Sequence, residues 1–452
     1  MLSKDREPET GRDQTRVVAQ WHAGGDEAPP WTRRFIAWTA GVLALLTVVG
    51  LVALWPGEDV RSGRRLNLPS EVYSAVVVRV HRGPCKSTVP SDDVTCDRVR
   101  FRLEQGPDEG ETRSIDFPLS ASSPHFDVGD GVVLSRQHGA DPGFDYQFAD
   151  RQRRSSLLWL AVLFAVAVAL LGRLRGLAAL VGLVASIGVL LVFVLPAILE
   201  GASPVLVAIV GSSAIAYLAL YLAHGLRTMT SVALLGTLAA LALTVGLAAL
   251  FTELAHFTGL ASEEAILVTV GTKGIDLQGL VLAGMVFGAL GALDDVTVTQ
   301  ASAVWELRAA DPGMSRFALY RAGLRIGRDH VASTVNTLAL AYAGASLPLL
   351  ILFVLSRQSL DTVANSEVVA VEIVRTLVGS IGLVAAVPIT TWLAARLVPA
   401  STGRQRRRGR RRGRVAPADA EAGESSAEPP APELPPDEAL APPPAEEFWR
   451  RR

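Results

Sequence analysis

The stretch Gly279–Leu307, GLVLAGMVFGALGALDDVTVTQASAVWEL, joins an apolar, glycine-rich run to two adjacent acidic residues, Asp294 and Asp295. The run is long enough to cross a bilayer, which takes roughly 20 apolar residues. A carboxylate in hydrocarbon costs on the order of 3 kcal/mol by insertion scales. Two carboxylates at the end of one span therefore indicate a site for ions, protons or a polar solute.

Further apolar runs lie on both sides of this stretch, and half of all residues are hydrophobic. They predict an α-helical polytopic membrane protein with about eight transmembrane helices. The net charge of −1 excludes little, because the charges are segregated along the chain. The predicted spans are residues 35–55, 157–172, 177–197, 203–223, 231–252, 277–296, 333–355 and 376–398. The first span lacks a cleavage pattern and is predicted to be an uncleaved signal-anchor.

Basic residues set the predicted orientation. Threading eight spans places the basic loops at 173–175, 227 and 308–328 on the same side as the arm 1–34 and the segment after Arg404. The positive-inside rule then predicts that both termini are cytoplasmic, in a bacterial plasma membrane. It also makes residues 156–400 a seven-helix membrane domain, with a disordered polar arm before the first span.

Residues 56–155 form the one sizeable polar block, and the orientation places it outside the membrane. Charged and apolar residues alternate strictly over Arg98–Leu103, and Val72–Val80 is rich in β-branched residues. With a turn at Asp127–Gly131, these patterns predict a small antiparallel meander or barrel of about five strands, in which an OB-like barrel is one form. Such a domain either binds a ligand or partner, or serves as a rigid cap.

The two cysteines, Cys85 and Cys96, both fall in this block. An even cysteine count outside the membrane predicts a disulfide between them. Closing a loop of this size contributes roughly 3 kcal/mol in the chain-entropy model. The nearby His81 supplies one ligand at most, so a metal site is the weaker interpretation.

The last segment, residues 401–452, opens with eight arginines in the eleven residues Arg404–Arg414. Next to the last span this run is expected to attract anionic lipid headgroups, at about 1 kcal/mol per basic residue. It lacks interleaved aromatic residues, so we expect no nucleic-acid binding. Residues 415–447, rich in Pro, Ala and Glu, are predicted to be disordered.

A polar stripe follows if the helix of the opening stretch continues past the aspartates. Asp295, Thr299, Ser302 and Glu306 then lie on one face, at helical spacing. In the alternative interpretation the span ends at Leu293, and the aspartates sit in the wet interface or cap a new helix.

Two other predicted spans bring polar groups to a similar depth, namely Asn336 and Thr337 in the seventh and Thr390 in the eighth. An amide in hydrocarbon needs a hydrogen-bond partner, and Asp295 is the natural candidate for Asn336. Such an oxygen-rich site suits protons or a hard cation, without identifying a metal.

Three glycines of the sixth predicted span, Gly284, Gly288 and Gly291, have the small-residue spacing that allows close helix packing. Pro348 predicts a kink in the seventh span. Glu372 and Arg375, expected just before the eighth span, form either a local salt bridge or the outer mouth of a path leading to Asp295.

The motifs of soluble enzymes do not occur. The sequence contains no Walker A motif, no dinucleotide-binding glycine pattern and no HExxH. Neighbouring aspartates point about 100° apart on a helix, which argues against a protease dyad. We therefore expect neither catalysis nor a cofactor.

The chain resembles the YibE/F family of bacterial multi-spanning membrane proteins. The similarity is most specific in Thr272–Val296 (TKGIDLQGLVLAGMVFGALGALDDV) and Ser333–Leu350 (STVNTLALAYAGASLPLL), with support from Val378–Thr390 and Gly172–Gly201. It covers roughly residues 155–400 and implies a membrane location. The acidic residue usual in the family falls on Asp295, whereas Asp294 stands where a hydrophobic residue is more common.

Two functions are expected from these features. The first is a transporter or permease for an unidentified solute, with a proton or cation site at Asp295. The second is a membrane scaffold or sensor whose outer β domain binds a partner.

Overall fold

The fold is a five-stranded β domain followed by a bundle of long apolar helices, as seen in a computed structural model. The structure describes residues 30–57, 70–85, 95–120, 123–137, 145–261, 263–271 and 274–399. The predictions for most of the N-terminal arm, for lipid contacts at Arg404–Arg414 and for the rest of the C-terminal tail lie outside these residues.

The strands are β1 (Ser70–Pro84), β2 (Thr95–Leu103), β3 (Thr112–Pro118), β4 (Gly131–Gln137) and β5 (Tyr146–Arg151). The helices are α1 (Pro30–Ala53), α2 (Arg154–Val189), α3 (Leu195–Leu199), α4 (Pro204–His224), α5 (Thr228–Leu254), α6 (Glu263–Gly271), α7 (Leu277–Ala310), α8 (Arg316–Ala345), α9 (Leu347–Leu355), α10 (Leu360–Asn365) and α11 (Glu367–Leu397). A π-helical turn, Leu190–Val194, joins α2 to α3.

The strands form one antiparallel sheet in the order β3-β2-β1-β4-β5. The predicted alternation is confirmed in β2, where Val99, Phe101 and Leu103 are buried and Arg100 and Arg102 are exposed. A bulge in β1 bends the sheet, and β3 contacts β5 across the open side. The domain is therefore a half-barrel around an aromatic and aliphatic core.

The predicted disulfide is present between Cys85 and Cys96, whose Cα atoms are 5.0 Å apart. It lies where β1 ends and β2 begins, next to the register pair Gly83 and Cys96. An ion pair supports the same end of the sheet, because Arg82 Nε donates to Asp97 Oδ1 at 2.8 Å. This hydrogen bond lowers the pKa of the Asp97 carboxyl below its ordinary value.

Among the described residues, six helices are long and apolar enough to cross a membrane, or seven if the bent pair α8 and α9 counts as one span. The predicted number of eight is therefore wrong by this count. The difference arises in residues 154–199, where two predicted spans fall within one helical stretch of 46 residues. At 1.5 Å per residue this stretch measures about 69 Å, more than twice the thickness of a bilayer core.

That long stretch is not straight, because Arg173 has non-helical backbone angles, with φ 51° and ψ −132°. A Cβ placed on Gly176 would stand only 3.1 Å from the carbonyl carbon of Val168. Residues eight apart in a straight helix are about 12 Å apart along its axis. The chain therefore turns back sharply at Arg173, which divides the stretch into two apolar segments.

The helical core is built from α5, α7 and α11, which contact one another pairwise. Its buried residues are largely Ala, Val and Leu, with Met285 and Leu293 of α7 almost inaccessible. The predicted kink near Pro348 is confirmed as a 61° bend between α8 and α9. The last span begins earlier than predicted, at Glu367, so Glu372 and Arg375 lie inside α11.

Candidate functional site

The site is organised by α7, which runs without a break through both aspartates to Ala310. Its N-cap is Asp276, whose Oδ1 accepts from the Gly279 backbone N–H at 2.9 Å. A new helix that begins at Asp294 or Asp295, with an aspartate as its N-cap, is therefore excluded. A single face of α7 carries Gly284, Gly288, Gly291, Asp295, Thr299, Ser302 and Glu306, at spacings of three and four residues.

Asp295 occupies the exposed side of α7, and 71% of its side chain is accessible. An ionisable side chain of α8, His330, lies nearby, with its Nε2 3.7 Å from Asp295 Oδ2. Further along the same face, Thr299 is half-buried and its hydroxyl donates to the Asp295 backbone carbonyl at 2.7 Å. Ser302 is also half-buried.

Asp294 points instead toward the helical core and is half-buried. Thr237 of α5 lies 3.5 Å from its Oδ1, and Thr237 in turn shares a 2.6 Å hydrogen bond with Thr297. Both threonines are inaccessible to solvent. The two aspartates therefore face different surroundings: Asp294 meets buried hydroxyls and Asp295 meets an imidazole.

Buried polar side chains continue along α7 from Thr297 to Gln300, which is also fully buried. Its Oε1 accepts a hydrogen bond from the Thr391 hydroxyl of α11 at 2.9 Å. Within the described part of the chain, Gln300 Nε2 and the Thr390 hydroxyl have no hydrogen-bond partner. The interface of α5, α7 and α11 is thus mostly apolar and contains a row of buried amide and hydroxyl groups.

The structure does not bring the three residues expected beside Asp295 together. Asn336 and Thr337 are exposed on α8, and the Thr337 hydroxyl donates to the Ser333 backbone carbonyl at 3.0 Å. In the described residues, no hydrogen bond joins Asn336 to Asp295. Thr390 is buried against Gly236 of α5 instead. The α8 residue that reaches Asp295 is His330, six positions before Asn336.

The glycines of α7 face side chains rather than the backbone of another helix. A Cβ on Gly284 would stand 3.5 Å from Arg375 Nη2, and one on Gly288 would stand 2.6 Å from the Tyr342 hydroxyl. A Cβ on Gly291 would meet nothing within 4 Å in the described structure. The three glycines therefore form the floor of an open face, in addition to any packing role.

Arg375 and Glu372 of α11 form the salt bridge that was one of two predicted interpretations. Arg375 Nη1 lies 2.6 Å from Glu372 Oε1, and about three quarters of each side chain is buried, with 24% and 27% exposed. In the described chain, the buried Nε of Arg375 has no hydrogen-bond partner. Ionisable residues at this depth in a helical bundle are costly unless they have a task or a partner.

Two ionisable pairs thus lie along one face of α7. Gly284, under Arg375, and Asp295 are eleven residues apart, or about 16 Å along the axis. The pair formed by Asp295 and His330 combines groups that can exchange protons, and Arg375 can hold an anion. Among the described residues, no group of three or more His, Cys, Asp or Glu side chains could hold a metal ion.

The sequence prediction missed Thr237, Gln300, His330 and Tyr342 as members of this arrangement. A signal for the buried hydroxyls was present, because the otherwise apolar α5 places Thr230, Thr237 and Thr244 seven residues apart. Seven-residue spacing keeps side chains on one helical face. The contact of His330 with Asp295 had no comparable signal, since it depends on how α8 packs against α7.

Comparison with known proteins places the chain in a group of related sequences. The sequence profile of YibE/F-like proteins matches residues 160–400, more than half of the chain, and includes α4, α5, α7, α8 and α11. No curated protein and no solved structure matches the chain. The predicted resemblance is therefore confirmed, and this chain belongs to the YibE/F-like protein family.

Proposed function

We propose that this chain is a multi-pass protein of the bacterial plasma membrane that transports a small solute along the glycine-lined face of α7. The observation that carries the proposal is the placement of Gly284, Gly288 and Gly291 between two ionisable pairs on one helical face. The family match and the long apolar helices are consistent with a membrane protein.

The proposed topology has both termini in the cytoplasm and the β domain outside. It requires an even number of crossings. Counting the bent pair α8 and α9 as one span, and the stretch 154–199 as two segments divided at Arg173, supplies that number. The disulfide between Cys85 and Cys96 supports an oxidising location for the β domain.

In the proposed mechanism, Asp295 binds a proton or a cation, and His330 is the group with which it exchanges charge. Their separation of 3.7 Å is too long for a direct hydrogen bond and is short enough for a water molecule or a small movement of α8 to close it. The glycine floor keeps side chains out of the path between Asp295 and Arg375. Asp294 points toward Thr237 in the helical core, and from that side it assists Asp295 in binding the proton or cation.

Cysteine accessibility tests the path without knowledge of the solute. The sequence has two cysteines, and both are in the disulfide, so an introduced thiol is the single free one. A charged, membrane-impermeant thiol reagent reacts only with a thiol that meets water, because the thiolate is the reactive form. We expect Gly291→Cys to react readily in the membrane.

Two control positions complete the test. Ala289→Cys is packed in the core, with 2% exposure, and Leu45→Cys lies on the exposed apolar surface of α1, with 63% exposure. Neither should react. A Gly291→Cys thiol as inert as the Leu45→Cys thiol would show that this face contacts lipid, and would refute the proposed path.

A scaffold or sensor role is the second candidate. The contact between β3 and β5 completes the cyclic strand order β1-β2-β3-β5-β4, and we propose that the half-barrel is OB-like, a fold that binds ligands on its surface. Deleting residues 60–150 should abolish a sensor's phenotype. A phenotype that survives this deletion and is lost in Asp295→Asn would instead favour transport.

A further inference from the structure

The guanidinium of Arg375 is the best-placed cation of the described membrane helices for meeting a solute. A guanidinium carries five N–H donors, and among the described residues the one hydrogen bond of Arg375 goes from Nη1 to Glu372. Its Nε is buried without a partner, and its Nη2 points over Gly284. Several donors of a buried cation are therefore unused.

Three helices meet around this cation. Gly284 and Gly288 of α7 form the floor, Tyr342 of α8 brings its hydroxyl over Gly288, and Arg375 of α11 supplies the charge. The Cδ of Arg375 stands 3.8 Å from the Cβ position of Gly288, so the arginine stem and the tyrosine hydroxyl flank the same glycine. One turn further along α7, a Cβ on Gly291 would meet nothing within 4 Å in the described structure. The free space thus begins about one turn from the arginine stem, and about 10 Å along the axis from Gly284 under Nη2.

The chemistry of these groups selects an oxyanion. A planar guanidinium matches carboxylate and phosphate oxygens in bidentate geometry, and a phenolic hydroxyl adds one further donor. Glu372 already occupies one edge of Arg375 with a carboxylate, so the side chain has the geometry to hold that group. A soluble carboxylate or phosphate would bind to Nε and Nη2, or would replace Glu372.

We propose that Arg375, held over Gly284 beside Tyr342, binds the oxyanion of a small carboxylate- or phosphate-bearing solute in competition with Glu372. This inference rests on the proposed function, for which it names the substrate class. It also assigns Glu372 a role that a merely structural salt bridge would not have. As the internal competitor, Glu372 keeps the site closed until an anion displaces it.

The test measures binding of acetate, benzoate and inorganic phosphate to the full-length chain in phosphatidylcholine nanodiscs, by titration calorimetry. We expect saturable binding of at least one probe at millimolar concentration or below. Arg375→Gln should weaken it by about tenfold or more, as expected for loss of a charge-assisted hydrogen bond. Arg396→Gln is the matched control, because Arg396 is on the same helix but lies over the Trp392 ring. Its affinity should stay unchanged.

Glu372→Gln separates the proposal from a structural role and does not depend on the folding of Arg375→Gln. Removal of the competing charge should tighten probe binding several-fold. A purely structural pair would give unchanged or weaker binding in this variant, which would overturn the proposal. So would the absence of saturable binding of all three probes to the unmodified chain.

Replacing half of the lipid by phosphatidylglycerol distinguishes a soluble solute from a lipid headgroup. Unchanged probe affinity is the expected result. Strong competition by phosphatidylglycerol would assign the site to an anionic lipid headgroup and overturn the soluble-solute proposal. Failure of the proposed function is seen separately, as an inert thiol in Gly291→Cys, so the failure of one conclusion can be distinguished from the failure of the other.

Discussion

Two glycine–threonine contacts pack α5 closely against α11, and replacing either glycine by alanine should destabilise the helical bundle. Gly236 of α5 faces Thr390 of α11, and eight residues further along α5 the order is reversed, with Thr244 facing Gly382. A Cβ on Gly236 would stand 3.0 Å from Thr390 Cβ and nearer still to its hydroxyl. A Cβ on Gly382 would stand 3.4 Å from Thr244 Cβ, again with the hydroxyl closer.

The magnitude follows from two opposing effects. Overpacking of a core costs about 1–3 kcal/mol, whereas alanine gains roughly 1 kcal/mol over glycine in helix propensity. Rotation of Thr390 about χ1 does not move its Cβ, which stands 3.0 Å away, so rotation cannot relieve the whole clash. We expect Gly236→Ala to lose up to about 2 kcal/mol of folding free energy, and Gly382→Ala to lose less because its neighbours stand farther away. For a chain of 452 residues the Tm changes by roughly 1 °C per kcal/mol, so the corresponding fall for Gly236→Ala is at most about 2 °C.

Thermal unfolding of the detergent-solubilised chain, followed by tryptophan fluorescence, measures these effects. Gly246→Ala on α5 is the control, since a Cβ there meets nothing within 4 Å in the described structure, and it should be neutral or stabilising. In the double variant Gly236→Ala with Thr390→Ala, the closest contact, which is with the hydroxyl, is gone while the Cβ contact at 3.0 Å remains, and the coupling should reach about 1 kcal/mol. The reasoning is refuted if Gly236→Ala has the same Tm as Gly246→Ala. It is also refuted if the free-energy effects of Gly236→Ala and Thr390→Ala are additive in the double variant.

Three further predictions concern the β domain. Reducing the disulfide between Cys85 and Cys96, or replacing both residues by Ser, should cost about 3 kcal/mol, seen as faster amide hydrogen exchange in β1 and β2; unchanged exchange would contradict it. Because the hydrogen bond from Arg82 lowers the pKa of Asp97 in the folded state, this stabilisation is present above the unfolded pKa of about 3.9 and is lost as the pH falls below it. Asp97→Asn should therefore make the free energy of unfolding depend less on pH in the acidic range. An unchanged pH dependence in this variant would contradict the contribution of Asp97. Gly129 has φ +101°, so Gly129→Ala should cost about 1–2 kcal/mol by thermal unfolding, and a neutral result would show that the turn adapts.

Local sequence patterns predicted the elements whose form depends on near neighbours. Strict alternation marked β2, Pro348 marked the bend after α8, and the cysteine pair marked the end of β1. The continuous helix past Asp295, one of two alternatives that the polar spacing allowed, is confirmed in α7. In each case the information lies within a few residues, where backbone geometry and side-chain periodicity act directly.

Properties that depend on packing between distant helices were not predictable in this way. The break at Arg173 is not one of them, because Gly172, Arg173 and Arg175 separate the predicted apolar runs 157–172 and 177–197. Asn336 and His330 are equally polar, and only the rotation of α8 about its axis decides that His330 faces Asp295. Helical periodicity tells which residues share a face, but it does not tell which face meets a neighbour.

The difference between the two aspartates has the same origin. The family resemblance favoured Asp295, and the structure places it on the open face beside His330. The contact of Asp294 with Thr237 spans 57 positions in sequence and follows from the packing of α5 against α7. Adjacent residues on a helix point about 100° apart, so one carboxylate meets the core while the other lies on the exposed face.

The sidedness of labelling at Gly291→Cys is the most direct test of transport along α7. In sealed vesicles of opposite orientation, an impermeant charged thiol reagent reaches the position from one aqueous phase at a time. A transport path predicts that the thiol reacts from both sides, because the protein exchanges between a state open to the outside and a state open to the inside. Reaction from one side alone, or from neither, would contradict the account and leave this face of α7 as a closed pocket or a lipid contact.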